Sequence, residues 1–390
     1  MTTTELGKYI LDNSGFVLLV LALNFGILFL INASSSIKAS ILKDLIYIPA
    51  RNRKENVLLL GGLAMAFSNI IVMHNIYSSD VVGTSDKFSA LGYILGVFIL
   101  TIQGYLDDKF ELSIKARLIA QGFTLLTYSV FLHFIFPIQS SLAFILLIVI
   151  WGFGILNGSH IIETAQTMSI KVSTLILFYF FAVAYYFNFL HLSYIIALVW
   201  VPIACFWIFK LFKKNIRLGE IGPNVLALSY IFIATQVYLR LTGIMSQTSS
   251  LLIVLIPLSI PMGEVFFNLT KRLFQRSYKD TKRSNLFLHV LSNENERFVS
   301  HQITKIVSMY TLIMMTSFFI IAYYGGTAKY ILAFFTTTLL LMASYFLQAK
   351  KCSVLSKEKR DFGNINNFSH DNGLIKKDLV ETFDVDSENE

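Results

Sequence analysis

Charge is scarce in this sequence. Only 14% of its 390 residues are Asp, Glu, Lys or Arg, against about 25% in an ordinary soluble domain. Hydrophobic residues make up 55%, and the mean hydropathy is +0.63. A chain so composed is not a soluble globular protein, and counting soluble domains from its length does not apply. Cysteine is scarcer still. Cys205 lies in an apolar run and Cys352 in a polar tail, a spacing that makes neither a disulfide framework nor a metal site. Internal repeats are lacking, and polar residues at mid-membrane are few apart from Glu264, which argues against an alternating-access transporter. No basic run precedes the first apolar stretch, so that stretch reads as a retained helix rather than a cleaved signal peptide.

What the chain has instead is long apolar runs. A bilayer span needs about 20 apolar residues, because the hydrocarbon is about 30 Å thick and a helix rises about 1.5 Å per residue. Spans are expected near 15–34, 56–75, 88–105, 117–134, 139–156, 171–188, 191–209, 221–240, 249–270, 303–324 and 328–348. The fold expected is therefore all-α, a polytopic membrane bundle of about eleven transmembrane helices. Lys and Arg collect on the cytoplasmic side of membranes. With the N-terminus outside and the C-terminus in the cytoplasm, only Lys8, Lys87, Arg240 and Lys329 fall on the outer side, out of 32 basic residues. That asymmetry accounts for the pI of about 9.2 and makes the basic surplus a topology signal, so no nucleic-acid partner is expected. Residues 1–349 form the membrane domain. Residues 350–390 are polar, end in an acidic cluster and read as a disordered cytoplasmic tail.

Polar residues gather in the expected cytoplasmic loops 35–55, 106–116, 157–170, 210–220 and 271–302. Asp107 and Asp108 end the third span. Adjacent carboxylates repel and are eased by a cation between them, and Mg²⁺ is bound by oxygen ligands together with substrate phosphates. A solvated helix end beside Lys109 is the plainer reading. Glu163 follows the fifth span, Glu220 opens the eighth, and Glu264 lies inside the ninth, about two turns before Lys271 and Arg272. An acid at membrane depth costs about 2.5–3.5 kcal/mol on insertion scales and is functional by default. The loop from Lys271 to Lys305, with His289 inside it, is either a surface for lipid headgroups or a topology determinant alone.

In this order the residues resemble the polyprenyl-phosphate N-acetylhexosamine-1-phosphate transferases, a superfamily that includes the phospho-MurNAc-pentapeptide translocase. The resemblance runs from Pro49 to about residue 300. Pro49 with Arg51 or Arg53, then Gly61 and Gly62, matches the family's first cytoplasmic loop. Asp107, Asp108, Lys115 or Arg117, and Gln121 match its Asp-Asp motif with downstream Lys and Gln. Its Asn-x-x-Asn-x-x-Asp-Gly-x-Asp-Gly run is met by Asn157, His160, Glu163, Thr164, Gln166 and Thr167, with only the first Asn kept and both glycines gone. Its Gly-Asp-Ser-Gly is met by Gly219, Glu220, Ile221 and Gly222. A ninth-span aspartate before an arginine is met by Glu264 and Arg272, and a histidine cluster is reduced to His289. Three family aspartates thus appear as glutamates, and none of those three has become neutral.

The resemblance implies a cytoplasm-facing catalytic cleft in a bacterial inner membrane protein. The implied reaction moves a sugar 1-phosphate from a UDP-N-acetylsugar, N-acetylglucosamine or a related N-acetylhexosamine, to undecaprenyl phosphate. UMP is released and a lipid-linked cell-surface glycan begins. Asp107 and Asp108 are the implied catalytic residues, with Asp107 orienting or deprotonating the lipid phosphate. Glu220 and Asp108 are the implied ligands of Mg²⁺, or Mn²⁺. Asn157, His160, Glu163 and Glu264 would shape the nucleotide side, while Arg272, His289 and Lys115 would contact substrate. Membrane lipids and a second copy of the chain are the other partners considered. The alternative is a catalytically degenerate relative that binds polyprenyl phosphate or a partner enzyme, because misplacing a reacting group by about 1 Å can cost around a hundredfold in rate.

Overall fold

A computed structural model describes residues 14–34, 61–78, 84–135, 142–163, 168–212, 217–274, 296–323 and 328–343. Its helices, in chain order, are α1 Ser14–Ser34, α2 Gly61–Ser78, α3 Thr84–Phe110, α4 Ile114–Ile135, α5 Leu142–Glu163, α6 Met168–Tyr186, α7 Leu190–Phe212, α8 Ile221–Leu241, α9 Gln247–Phe274, α10 Glu296–Tyr323 and α11 Ala328–Ala343. No strand occurs among the described residues. Stretches of α3, α5, α6, α7, α8 and α9 are long and apolar enough to cross a membrane. Phe98, Ile119, Phe123, Ile150 and Phe178 stand more than half exposed on the outer faces of their helices, where a surface of bare apolar side chains suits lipid. The protein is an all-helical, multi-pass membrane bundle. The described residues up to Leu341 belong to one compact unit. The tail expected from residue 350 lies outside the described residues.

At the centre stands α8. Of its residues only Tyr238 and Arg240 are not buried, and it packs against α2, α3, α5, α6, α7 and α9. A helix enclosed in this way must have its polar side chains matched by its neighbours. Tyr93 of α3 meets Ser229 at 2.7 Å, and Tyr128 of α4 meets Thr235 at 2.5 Å. Tyr230 meets Ser173 of α6. Both ends of α8 are tied to α3. At one end Arg240 grips Asp86 with contacts of 2.9 and 2.7 Å. At the other, the backbone N–H of Glu220 donates to Asp108 at 3.0 Å.

Small residues allow this closeness. A Cβ on Gly104 would lie 2.8 Å from the Cα of Ile221, and one on Gly62 would run into the backbone of Gly222. On α5, a Cβ at Gly154 would collide with Met262 and one at Gly158 with the carbonyl of Pro261, so α9 lies directly on this glycine pair. Pro257 and Pro261 sit inside α9 and remove two helical N–H donors. Ile253, whose carbonyl would have accepted from residue 257, instead accepts the Tyr179 hydroxyl of α6 at 3.3 Å.

Two of the expected loops are helical in part. α3 continues through Asp107 and Asp108 to Phe110, and α5 continues through Asn157 and His160 to Glu163. Polar residues there had read as loop. They sit at helix ends and serve the interior of the bundle. The α3–α4 connection is only Glu111, Leu112 and Ser113. Glu111 turns the chain with φ of 50°, a left-handed conformation at a helix C-terminus. Ser113 then caps α4, its hydroxyl accepting from the Ala116 N–H at 3.3 Å.

Gly62→Val should lower the melting temperature of the detergent-solubilised protein by more than about 5 °C or prevent folding, since backbone must move to admit it. Gly26→Ala, on α1 with open space around it, should leave the melting temperature unchanged or raise it, because alanine is the better helix former by about 1 kcal/mol. Equal behaviour of the two variants in a thermal-shift series would contradict the packing described.

Candidate functional site

Segments far apart in the chain converge where α3 and α5 end and α8 begins. The stretch 217–220 lies across the N-terminus of α2, whose first N–H groups have no partner within their own helix. Gly61 N–H donates to the Arg217 carbonyl at 2.9 Å and Gly62 N–H to Leu218 at 3.0 Å. Gly219 follows with φ of 66°, the left-handed conformation that glycine adopts without steric cost. Glu220 is thereby fixed at the start of α8. The Asp108 carboxylate accepts the Glu220 N–H and lies at the positive end of α8, an arrangement favoured by the helix dipole.

The two adjacent aspartates differ in what they have left to offer. Asp107 is buried, and both its oxygens are engaged: Oδ2 with Arg117 Nε at 2.7 Å, and Oδ1 with the Leu112 N–H at 2.9 Å. Asp108 uses Oδ2 alone. The residue expected to handle the lipid phosphate therefore anchors the α3–α4 turn, and its neighbour presents the open oxygen. Of the two basic residues weighed for this motif, Arg117 reaches the site, whereas Lys115 is exposed.

His160 bridges α5 to α8. Its Nδ1 lies 2.8 Å from Glu220 Oε2 and its Nε2 2.9 Å from Asn224 Oδ1. Asn224 donates its own amide to the Glu220 carbonyl at 3.0 Å, which fixes Oδ1 as the acceptor. Both ring nitrogens of His160 therefore donate, as only a protonated ring can. Burial pushes the Glu220 carboxyl up, but the His160 charge, its hydrogen bond and the charge of Arg117 outweigh that and hold it below the ordinary carboxylate range. Its Oε1, like Asp108 Oδ1, has no protein partner among the described residues.

The other expected residues surround this core. Asn157 donates to the Phe153 carbonyl at 2.8 Å and approaches Gln121 Oε1 at 3.5 Å. Glu163 accepts the Ser169 hydroxyl across the α5–α6 connection, with Lys210 of α7 as a longer-range counter-charge. Glu264 is buried and accepts from Tyr310 of α10 at 3.3 Å, close to where α9 lies on Gly158. Arg272 is in α9 with its side chain outside the described residues, and His289 lies outside them altogether. The sequence pattern does not mark Asn224 or Ser169 as site residues. Asn224 could have been found from its place one helical turn after Glu220, on the same face.

Among the described residues no set of three His, Cys, Asp or Glu side chains gathers to hold a metal ion. Asp108 and Glu220 each keep one oxygen with no partner among the described residues. That suits Mg²⁺, which is usually held by one or two carboxylates with the rest of its shell from water and substrate phosphate. A comparison of the sequence with protein-family models finds no match, and a search of curated proteins finds none either.

Asp107→Asn should destabilise the fold, because it leaves Arg117 uncompensated in a largely buried pair, an effect of about 3 kcal/mol. Asp108→Asn keeps an oxygen for the Glu220 N–H and should leave the melting temperature within about 2 °C of the parent. Equal losses of thermal stability in the two variants would remove the distinction between a structural and an open aspartate.

Proposed function

We propose that this chain transfers an N-acetylhexosamine 1-phosphate from a UDP-sugar to a polyprenyl phosphate in a bacterial inner membrane. The observation that carries the reading is the pair of open carboxylate oxygens, on Asp108 and Glu220, side by side at the polar end of a membrane bundle. The fixed cations Arg117 and His160 stand beside them. That combination suits a diphosphate and the divalent ion that accompanies it.

In this reading an oxygen of the lipid phosphate forms a bond to the β-phosphorus of the nucleotide sugar. The bond from that phosphorus to the oxygen bridging the α-phosphate breaks, and UMP leaves. A Mg²⁺ or Mn²⁺ ion, when bound, supplies positive charge across the pyrophosphate oxygens. Asp108 and Glu220 would hold that ion. His160, itself oriented by Asn224, holds the Glu220 carboxylate in place, and Asp107 does the same for Arg117. The polyprenyl chain has a matching surface in the apolar groove between α5, α8 and α9, lined by Leu147, Trp151, Ile155, Ala234, Val254 and Leu258.

A second reading draws on Asp107. With both its oxygens engaged, it is not poised to take a proton, and a chain with only this site could bind lipid phosphate without turning over. The discriminating assay is UMP release by purified protein with undecaprenyl phosphate, Mg²⁺ and a panel of UDP-N-acetylsugars. The transferase reading expects release that requires lipid and metal and falls at least about 100-fold in Asp108→Asn and in Glu220→Gln. Lipid-phosphate binding with no UMP release from any sugar would move the assignment to the second reading.

A further inference from the structure

One helical turn beneath the charged rim lies a second layer, made of carboxamides. Gln103 precedes Asp107 by four residues on α3, and Gln121 follows Arg117 by four on α4. Asn157 precedes His160 by three on α5, and Asn224 follows Glu220 by four on α8. Spacings of three and four keep side chains on one helix face, about 5–6 Å deeper. Contacts above and below fix the register of α3 against α4. Arg117 reaches Asp107 at 2.7 Å, and a Cβ on Gly96 would lie 3.1 Å from the Thr124 methyl. Gln103 and Gln121 fall between these two contacts, and Asn157 approaches Gln121 at 3.5 Å. Gln103 is 4% exposed, Gln121 2% and Asn224 0%.

Asn224 is fully engaged with His160 and Glu220. The others are not. Gln103 Oε1 is buried with no partner, and neither the Gln103 nor the Gln121 amide nitrogen donates a hydrogen bond among the described residues. An unmatched carboxamide enclosed in a membrane bundle is costly, so its retention points to an occupant. The natural complement of a carboxamide is another amide, whose C=O and N–H can pair with it twice. A charged group is a poor match, since this layer carries no charge of its own.

We propose that this layer is a binding site for a neutral amide group on the substrate, placed one turn from its phosphates, and that Gln103 is its specificity-determining residue. An acetamido substituent on the sugar carbon next to the phosphorylated one has that chemistry and that separation. The assignment rests on the nucleotide-sugar reading of the rim.

The test is calorimetric titration of the full-length protein in detergent with UDP-N-acetylglucosamine against UDP-glucose, and with the corresponding galacto pair. The parent should bind at least one acetamido sugar about tenfold more tightly than its hydroxyl counterpart. In Gln103→Leu that ratio should fall to about one. The melting temperature should hold or rise, because an unmatched polar group has been replaced by an apolar one of similar size. Gln103→Met, titrated in parallel, guards against a local misfit of the branched side chain and should show the same loss. Equal binding within both pairs by the parent, or an undiminished preference in both variants, overturns the amide site and leaves the transferase reading standing. Failure to bind any nucleotide sugar overturns both.

Discussion

A helix enclosed on every side by other helices in a membrane can keep polar groups only where its neighbours match them, and α8 imposes that condition on the whole bundle. Tyr93, Tyr128 and Ser173 are placed by it, each meeting a hydroxyl of α8. So are the glycines of α2 and α3 that let backbone approach backbone. The two ends of α8 are where charge can be afforded, and each is closed by an aspartate of α3: Asp86 on Arg240, and Asp108 on the Glu220 N–H. Because α3 and α8 are tied at both ends, the carboxylates at the polar end are held by helices rather than by flexible chain. Rigid support of that kind is what a reacting site requires.

The polar end is then a problem in charge placement. Three carboxylates, Asp107, Asp108 and Glu220, gather there, and two cations stand among them. Arg117 takes Asp107, and the doubly donating His160 takes Glu220. Each pairing uses up carboxylate oxygens, so the distribution of partners decides which acid can act. Asp108 and Glu220 retain one open oxygen apiece, whereas Asp107 retains none. Beneath them the carboxamides of Gln103, Gln121 and Asn157 form an uncharged floor, so a substrate with charged and neutral amide parts would meet both chemistries in order.

The helices were legible because long apolar runs are an unambiguous signal in a membrane chain, and each described helix follows one of the expected spans. The acids were legible for the same reason, since charge at the margin of an apolar run stands out. Their partners were not. Hydropathy ended the fifth span at 156 and assigned His160 and Glu163 to a loop, although the helix carries them inward to Glu163. Polar residues lining a bundle's interior look like loop residues when only the apolar average is read. Nor could the sequence rank Asp107 against Asp108. That difference depends on Arg117 and Leu112 lying on one side of α3 and the start of α8 on the other, a matter of helix packing rather than of local pattern. The His160–Asn224 contact likewise joins residues 64 positions apart.

The proposed transfer requires Asp108 and Glu220 to act as one locus for a divalent ion and a diphosphate. Electron paramagnetic resonance of Mn²⁺ added to the purified protein, with and without UDP-N-acetylglucosamine, reads that locus directly. Bound Mn²⁺ should appear chiefly when the nucleotide sugar is present, and should be lost in both Asp108→Asn and Glu220→Gln. Mn²⁺ binding that survives both substitutions, or that ignores the nucleotide, would contradict it.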